Sequence, residues 1–234
     1  MIKVSNVTTG YGDQVVTEGL DFELKPGDFI ALIGSNGAGK STLINTIIGV
    51  LPTLSGTVTW DVKDQKDNPF NRLGFSPQAQ IIDWYTLAYD NVYQGPILAG
   101  FSKKDAVKQT NEAMEIMDIV SLKDKPVDHL SGGQQQRVQV AREIARKPDV
   151  YILDEPTTGL DVETSEALFK FLLDKTKEGA AVLTSSHDLT LLENYAEKVL
   201  FINDHRQAYY GAMDDFKSGS SLRDTYLNKR KGDD

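Results

Sequence analysis

The chain has 234 residues, 40% of them hydrophobic, with 34 acidic against 25 basic side chains, a net charge of −9 and no cysteine. That length supports one sizeable core with a smaller second lobe, the missing cysteines exclude disulfides and thiolate-bound zinc and are compatible with a reducing compartment, and the acidic balance weighs against nucleic acid as a partner. The N-terminal "MIKVSNVTTG" lacks the apolar stretch of a signal peptide, and no run approaches the roughly 20 apolar residues that cross a bilayer, so the chain is expected to be soluble and any membrane role to fall to a partner.

The N-terminal third carries the strand signals "IKVSNV" and "VVTEGLDFEL", which suggest an antiparallel edge. "DFIALIG" is a short apolar run ending in glycine and reads as a buried strand. "KSTLINTIIGV" spaces its apolar residues as a helix and stops near Gly49 and Pro52. "GTVTW" alternates like a half-buried strand, and residues 64 to 72, "DQKDNPFNR", read as a polar turn region. From about Trp84 to Leu122 the pattern is helical, with Ala113, Ile116, Met117 and Val120 as its apolar positions. "GGQQQRVQVAREIARK" is a second helix, ended by Pro148. "VYILDEP" and "AAVLTSSHD" read as buried strands of a parallel sheet, joined by the crossover helix "TSEALFKFLLDKTKEG" that Gly179 stops. "KVLFIND" is a further strand, and the closing "KSGSSLRDTYLNKRKGDD" is polar and reads as a frayed end. The alternation predicts an α/β core over 1–79 and 148–210, a mostly helical insert over 80–147 and a C-terminal tail over 211–234.

Between the first buried strand and its helix lies Gly34-Ser-Asn-Gly-Ala-Gly-Lys40-Ser41, a match to G-x-x-x-x-G-K-S/T in the strand-to-helix context that a phosphate loop requires. Its glycines let successive backbone N–H groups curl around phosphate oxygens, and the positive end of the following helix adds to the attraction. Lys40 supplies a compact charge for the terminal phosphates, and Ser41 or Thr42 offers a hydroxyl to Mg²⁺. A ligand-free glycine turn is the bland alternative. "VYILDEP" delivers Asp154 and Glu155 to the C-terminal end of a strand, the edge where open α/β sheets bind ligands. Neighbouring strand residues point opposite ways, so Asp154 suits the metal and Glu155 an attacking water, as general base; the bland reading is a pair that caps the next helix. His187 in "LTSSHD" sits at the same predicted edge, where a γ-phosphate contact is open to it. In "LSGGQQQR", Ser131, Gly132 and Gly133 open a strong helix and mark a second anion site, since an ordinary serine cap does not need two glycines behind it. The residues alone do not say why one nucleotide would need two such sites.

Together these stretches resemble the ATP-binding-cassette (ABC) ATPase family. "GSNGAGKST" is similar to its Walker A motif, "LSGGQ" to its signature, "VYILDEP" to its Walker B, Gln78 in "GFSPQ" to its Q-loop glutamine, "GLD" at 159–161 to its D-loop and His187 to its switch histidine. The resemblance covers nearly the whole chain. It implies a P-loop NTPase core with a mostly parallel sheet, an antiparallel β subdomain and an inserted helical subdomain. It implies an ATP site made of Tyr11, stacked on adenine, Val16, and the loop residues Ser35, Asn36, Gly37, Ala38, Gly39, Lys40, Ser41 and Thr42. Mg²⁺ would be held by Ser41, Gln78 and Asp154, and hydrolysis carried by Glu155, His187, Gln78 and Lys40. Ser131, Gly132, Gly133, Gln134 and Asp161 would act on the nucleotide of a partner chain, because two such domains, identical or not, pair head to tail around ATP.

The resemblance also implies a separate transmembrane permease subunit, which would hold this chain on the cytoplasmic face of the membrane, docked near the Q-loop and the helical insert. The DNA-repair members carry long coiled coils and the translation members two cassettes, neither of which this chain has; the iron–sulfur assembly type stays open as an alternative. "GFSPQAQIIDWYTLAYDNV" is similar to drug- or peptide-exporting members. Within it, Thr86 is expected to cap a helix beginning at Leu87, with Tyr89 and Tyr93 on one face, and Ile82, Trp84 and Tyr85 are expected to lie partly exposed as the coupling surface.

Overall fold

The computed structural model describes residues 1–61 and 72–231, so the turn region expected at 64–72 lies outside the described residues except for Arg72. Its strands are β1 (Ile2–Tyr11), β2 (Gln14–Leu24), β3 (Phe29–Gly34), β4 (Ser55–Trp60), β5 (Leu73–Ser76), β6 (Val150–Leu153), β7 (Ala181–Ser185), β8 (Lys198–Asn203) and β9 (Arg206–Ala212). Among the described residues they form one sheet in the order β4-β1-β2-β9-β8-β3-β7-β6-β5. From β8 through β3, β7 and β6 to β5 the strands run parallel. β1, β2 and β4 make the expected antiparallel unit, joined to the rest where Glu18 of β2 pairs with Arg206 of β9.

The parallel strands are apolar on both faces because both faces are covered. Strand alternation sends Ile30 and Leu32 of β3 to one side, where they pack with Leu43, Ile44 and Ile47 of α1 (Lys40–Ile47). Phe29, Ala31 and Ile33 go to the other side, against α5 (Val162–Lys177), which crosses from β6 to β7, and α6 (Leu189–Tyr195), which leads to β8. Between β5 and β6 the chain leaves the sheet for α2 (Ala88–Leu98), α3 (Lys103–Ile116) and α4 (Gly132–Ala145). α2 and α4 cross so closely that a Cβ on Gly95 would lie 2.2 Å from the carbonyl oxygen of Arg142.

Several local expectations differ from the structure. The helical stretch from Trp84 breaks at Gly100, after which Ser102 caps α3 by accepting from the backbone N–H of Asp105 at 3.2 Å; Val120 is half exposed, while Ala113 and Met117 are buried. Thr86 does not cap α2. The first N–H groups of that helix, on Ala88 and Tyr89, donate instead to the carbonyls of Lys125 and Lys123, and the Thr86 hydroxyl accepts from the Asn91 side chain at 2.6 Å. Tyr89 and Tyr93 do stack, with ring centroids 5.9 Å apart.

The end of the chain is also more ordered than its polarity suggests. α7 (Met213–Lys217) and α8 (Leu222–Lys231) pack back onto the sheet. Leu222 is fully buried, the Tyr226 ring meets Phe201 edge-on at 5.8 Å, and Glu193 of α6 accepts from the Leu222 N–H at 2.9 Å while also binding Lys217 at 3.1 Å. None of the helices described is long and apolar enough to cross a membrane. Leu222→Ala removes a side chain from this seam and should cost about 2–5 kcal/mol of stability; urea denaturation of the two proteins measures it, and a loss within experimental error would show that the last helix is not part of the cooperative fold.

Candidate functional site

The parallel strands end on one edge, and the loops leaving them meet in a cleft lined by Val16, Asn36, Gly37, Gly39, Lys40, Ser41, Thr42, Gln78, Asp154, Glu155 and His187. Five separate segments of the sequence reading thus converge on one place. Gly39 precedes α1 with φ at +102°, a conformation that side-chain-bearing residues rarely adopt. A Cβ there would also come within 2.3 Å of Thr17 and 3.0 Å of Val16, so the β2 segment presses directly on the loop. No side chain caps α1, which leaves its first-turn N–H groups available for an anion beside Lys40, Ser41 and Thr42. The Lys40 ammonium rests on the loop's own carbonyls, donating to Gly34 at 2.8 Å and Ser35 at 3.2 Å. Burial pushes its pKa below 10.5, against the pull of Glu155 and Asp154.

Asp154 and Glu155 reach the same cleft, for a different reason than strand alternation. β6 ends at Leu153, and Glu155 takes φ +52° in the turn that follows. The Ser185 hydroxyl organises both residues: it donates to Asp154 Oδ1 at 2.7 Å and accepts from the Glu155 N–H at 2.9 Å. Glu155 Oε2 then accepts from the His187 N–H at 3.0 Å, which leaves the mostly exposed imidazole with Nε2 3.6 Å from Oε1. Burial raises the Glu155 pKa, and His187 and Lys40 offset only part of the effect. Such a carboxylate takes up a proton more readily than an exposed one. Tyr11 stands at the margin of this cleft, half exposed, with its hydroxyl 3.5 Å from that of Thr42.

Ser131, Gly133 and Gln134 line a second cleft with Asp118, Ser121, Leu122, Arg137 and Gly159, and no residue belongs to both clefts. Contrary to the sequence argument, Ser131 is an ordinary N-cap: its hydroxyl accepts from the Gln134 N–H at 3.4 Å while Gln134 Oε1 accepts from the Ser131 N–H at 3.0 Å. The glycine behind it has its own cause, since a Cβ on Gly133 would lie 2.5 Å from the carbonyl oxygen of Gly159. Asp161, two residues on, caps α5 through the Thr164 N–H at 2.8 Å. Hydrogen bonds from Thr164, and after them the Arg137 guanidinium, bring its pKa down to about 2. Sequence reasoning missed Ser185 and Arg137; the only trace of the first is a pair of serines closing an apolar strand in "LTSSHD".

Comparison with known proteins gives a consistent result. Residues 17–158 match the ABC transporter family. The manganese transport system ATP-binding protein of Bacillus subtilis is 34% identical over 96% of this chain and 92% of its own length. The zinc import ATP-binding protein of Yersinia pestis is 34% identical over 88% and 77%. A solved structure described as the ATP-binding subunit of an ABC transporter superposes with a TM-score of 0.90 at 26% identity, covering 99% of this chain and all (100%) of that one. A dimeric ATP-binding cassette in a post-hydrolysis state with ADP and Pi superposes at 0.80 and 26% identity, covering 91% and 99%.

The raised pKa of Glu155 has a measurable sign. The folded chain retains a proton that the unfolded chain releases once pH passes about 4.5, so folding stability is lost as pH rises from there through the folded-state pKa. Glu155→Gln removes that cost. It should raise the melting temperature of the nucleotide-free protein at neutral pH, and the difference should shrink below about pH 4.5; thermal melts at the two pH values check it.

Proposed function

This chain belongs to the ABC transporter family, as an ATP-hydrolysing cassette, and we propose that it powers a transporter whose transmembrane part is a separate chain, by ATP-driven head-to-tail pairing of two cassettes. The observation that carries the reading is the pair of clefts with no residue in common. A nucleotide seated at Lys40 is not enclosed by Ser131 of the same chain, so the second cleft has work to do only on another chain's nucleotide. The dimeric cassette with ADP and Pi supports that geometry.

In this reading the phosphates draw the Lys40 ammonium off the Gly34 and Ser35 carbonyls and take the free N–H groups of α1. The Ser41 hydroxyl, the Gln78 amide oxygen and the Asp154 carboxylate are hard oxygen donors suited to Mg²⁺, which supplies charge neutralisation at the phosphates. Glu155 accepts the proton of the attacking water, with its carboxylate aimed by the His187 N–H and its backbone by Ser185. His187 contacts the γ-phosphate, Tyr11 stacks on the base, and Ser131, Gly132, Gly133, Gln134 and Asp161 complete the partner's site.

The relatives reported above are transport subunits, which favours a transporter over the iron–sulfur assembly alternative. The zinc import relative supports uptake rather than the export suggested by "GFSPQAQIIDWYTLAYDNV". For the docking surface, Tyr85 is 95% and Trp84 41% exposed beside the Gln78 segment, the state expected of interface anchors. Ile82, expected to lie partly exposed there, is instead buried, in the same apolar cluster as Ala88 and Val92.

Three experiments test this reading. Lys40→Ala should lower ATP turnover by about 100-fold or more, and near-normal hydrolysis would overturn the phosphate-loop assignment. Glu155→Gln should elute as a dimer on size exclusion with ATP and Mg²⁺ and as a monomer without ATP; adding Ser131→Arg should abolish that dimer, and a doubly substituted protein that still dimerises would refute the head-to-tail arrangement. Separately, the double variant Trp84→Ala, Tyr85→Ala should fold and hydrolyse ATP normally yet fail to co-purify with its membrane partner; unfolding instead would return those rings to the core.

A further inference from the structure

Gln139 lies in the middle of α4 and is completely buried, although its neighbours in "QQQRVQVAR" suggest nothing unusual. All its hydrogen bonds go to one segment. Nε2 donates to the Ser76 hydroxyl at 3.0 Å and to the Pro77 carbonyl at 2.9 Å, and Oε1 accepts from the Ile81 N–H at 2.5 Å. A single amide therefore holds both shoulders of the loop that presents Gln78. Gln80 adds a bond in the same sense, donating to the Gly132 carbonyl at 2.9 Å in the first turn of α4. On its other side the loop is tied to the catalytic carboxylates, since the Ser76 carbonyl accepts from the Asp154 N–H at 2.8 Å. Gln78 itself lines the cleft and makes no hydrogen bond with the described residues, so its position depends wholly on the backbone that carries it.

We propose that Gln139 is a positioning residue for ATP hydrolysis, a clamp that sets the reach of Gln78 into the cleft and ties that reach to the helix bearing the signature. The proposal rests on the reading of Gln78 as a ligand of Mg²⁺ that takes part in hydrolysis. A loop displaced by about 1 Å can cost on the order of 100-fold in rate, which is the scale of effect expected from losing three bonds at the base of a short loop.

The test is a double-mutant cycle on ATP turnover by the full chain, with melting temperature followed alongside. Gln139→Leu keeps the volume and removes the amide; it should lower kcat by about 10- to 100-fold with little change in KM for ATP. In a Gln78→Ala background the same substitution should cost less than about twofold, because the clamp then has nothing to aim. A merely structural glutamine would lower the melting temperature and reduce kcat by the same factor in both backgrounds, and that result, or an unchanged kcat in the first, overturns the proposal. Wild-type turnover by Gln78→Ala alone would instead remove the reading of Gln78, and the clamp with it. If Gln139→Leu does not fold, Ser76→Ala takes one bond from the other end: a kcat loss present with Gln78 and absent without it supports the clamp, and equal losses or none refute it.

Discussion

The cleft depends on the register of three neighbouring parallel strands. Leu32 of β3 pairs with Ser185 of β7, and Leu153 of β6 with Thr184. These pairings bring the phosphate loop, the two acidic residues and His187 to a common edge, where the chain leaves regular pairing and side chains take over the bonding. Ser185 is the hinge of that handover: the last residue of its strand, buried, it spends its single hydroxyl on Asp154 and on the backbone of Glu155. A slip of one residue in β7 would turn that hydroxyl to the opposite face of the sheet, and a slip in β3 or β6 would do the same to the side chains of those strands. The apolar layers on both faces, with α1 on one and α5 and α6 on the other, therefore serve the chemistry by holding register.

The two anion-attracting ends differ in a way that bears on their proposed roles. α1 begins without a side-chain cap, so its first N–H groups are unclaimed, and its lysine rests on two neutral carbonyls rather than on a carboxylate. α4 begins with Ser131 and Gln134 capping one another. The first end keeps its whole first turn open to a ligand, whereas the second has the Gln134 N–H taken by its cap and only the N–H groups of Gly132 and Gly133 left open. In the proposed cycle this asymmetry orders events: a nucleotide settles first against α1, and only its exposed γ-phosphate meets the second surface.

Much of this could be read from the residues. The core strands "DFIALIG", "VYILDEP", "AAVLTSSHD" and "KVLFIND" are continuous apolar runs bounded by turn signals, and each is a parallel strand of the sheet. The phosphate loop was legible because few other uses explain glycine and lysine at that spacing between a strand and a helix. What escaped was structure whose signal lies across the fold. β5 has only four residues, one a glycine, and β9 is a half-exposed strand between β8 and the antiparallel unit. α8 is polar except for the few side chains it buries, so its sequence resembles a loose end. Thr86 looked like a cap because the carbonyls of Lys123 and Lys125, which satisfy the helix instead, arrive from a distant turn. Gln139 is the sharpest case: a polar residue in a polar helix reads as solvent-facing, and only the path of residues 76–81 over that helix makes it a buried hub.

The close crossing of α2 and α4 at Gly95 has a mechanical consequence. With 2.2 Å between the position of a Cβ and the Arg142 carbonyl, the two helices approach as closely as only a glycine allows and pack backbone to backbone. Aromatic stacking of Tyr89 on Tyr93 and the buried bonds of Asn91 stiffen the same block. A push delivered through residues 76–81 cannot dissipate as bending inside the insert. In the proposed cycle it moves the insert as one body relative to the sheet, to which the insert returns through Lys147 and Pro148. Residues 76–81 and the exposed Trp84 and Tyr85 therefore belong to one stiff body, so that in the proposed cycle a displacement at Gln78 is carried directly to that surface.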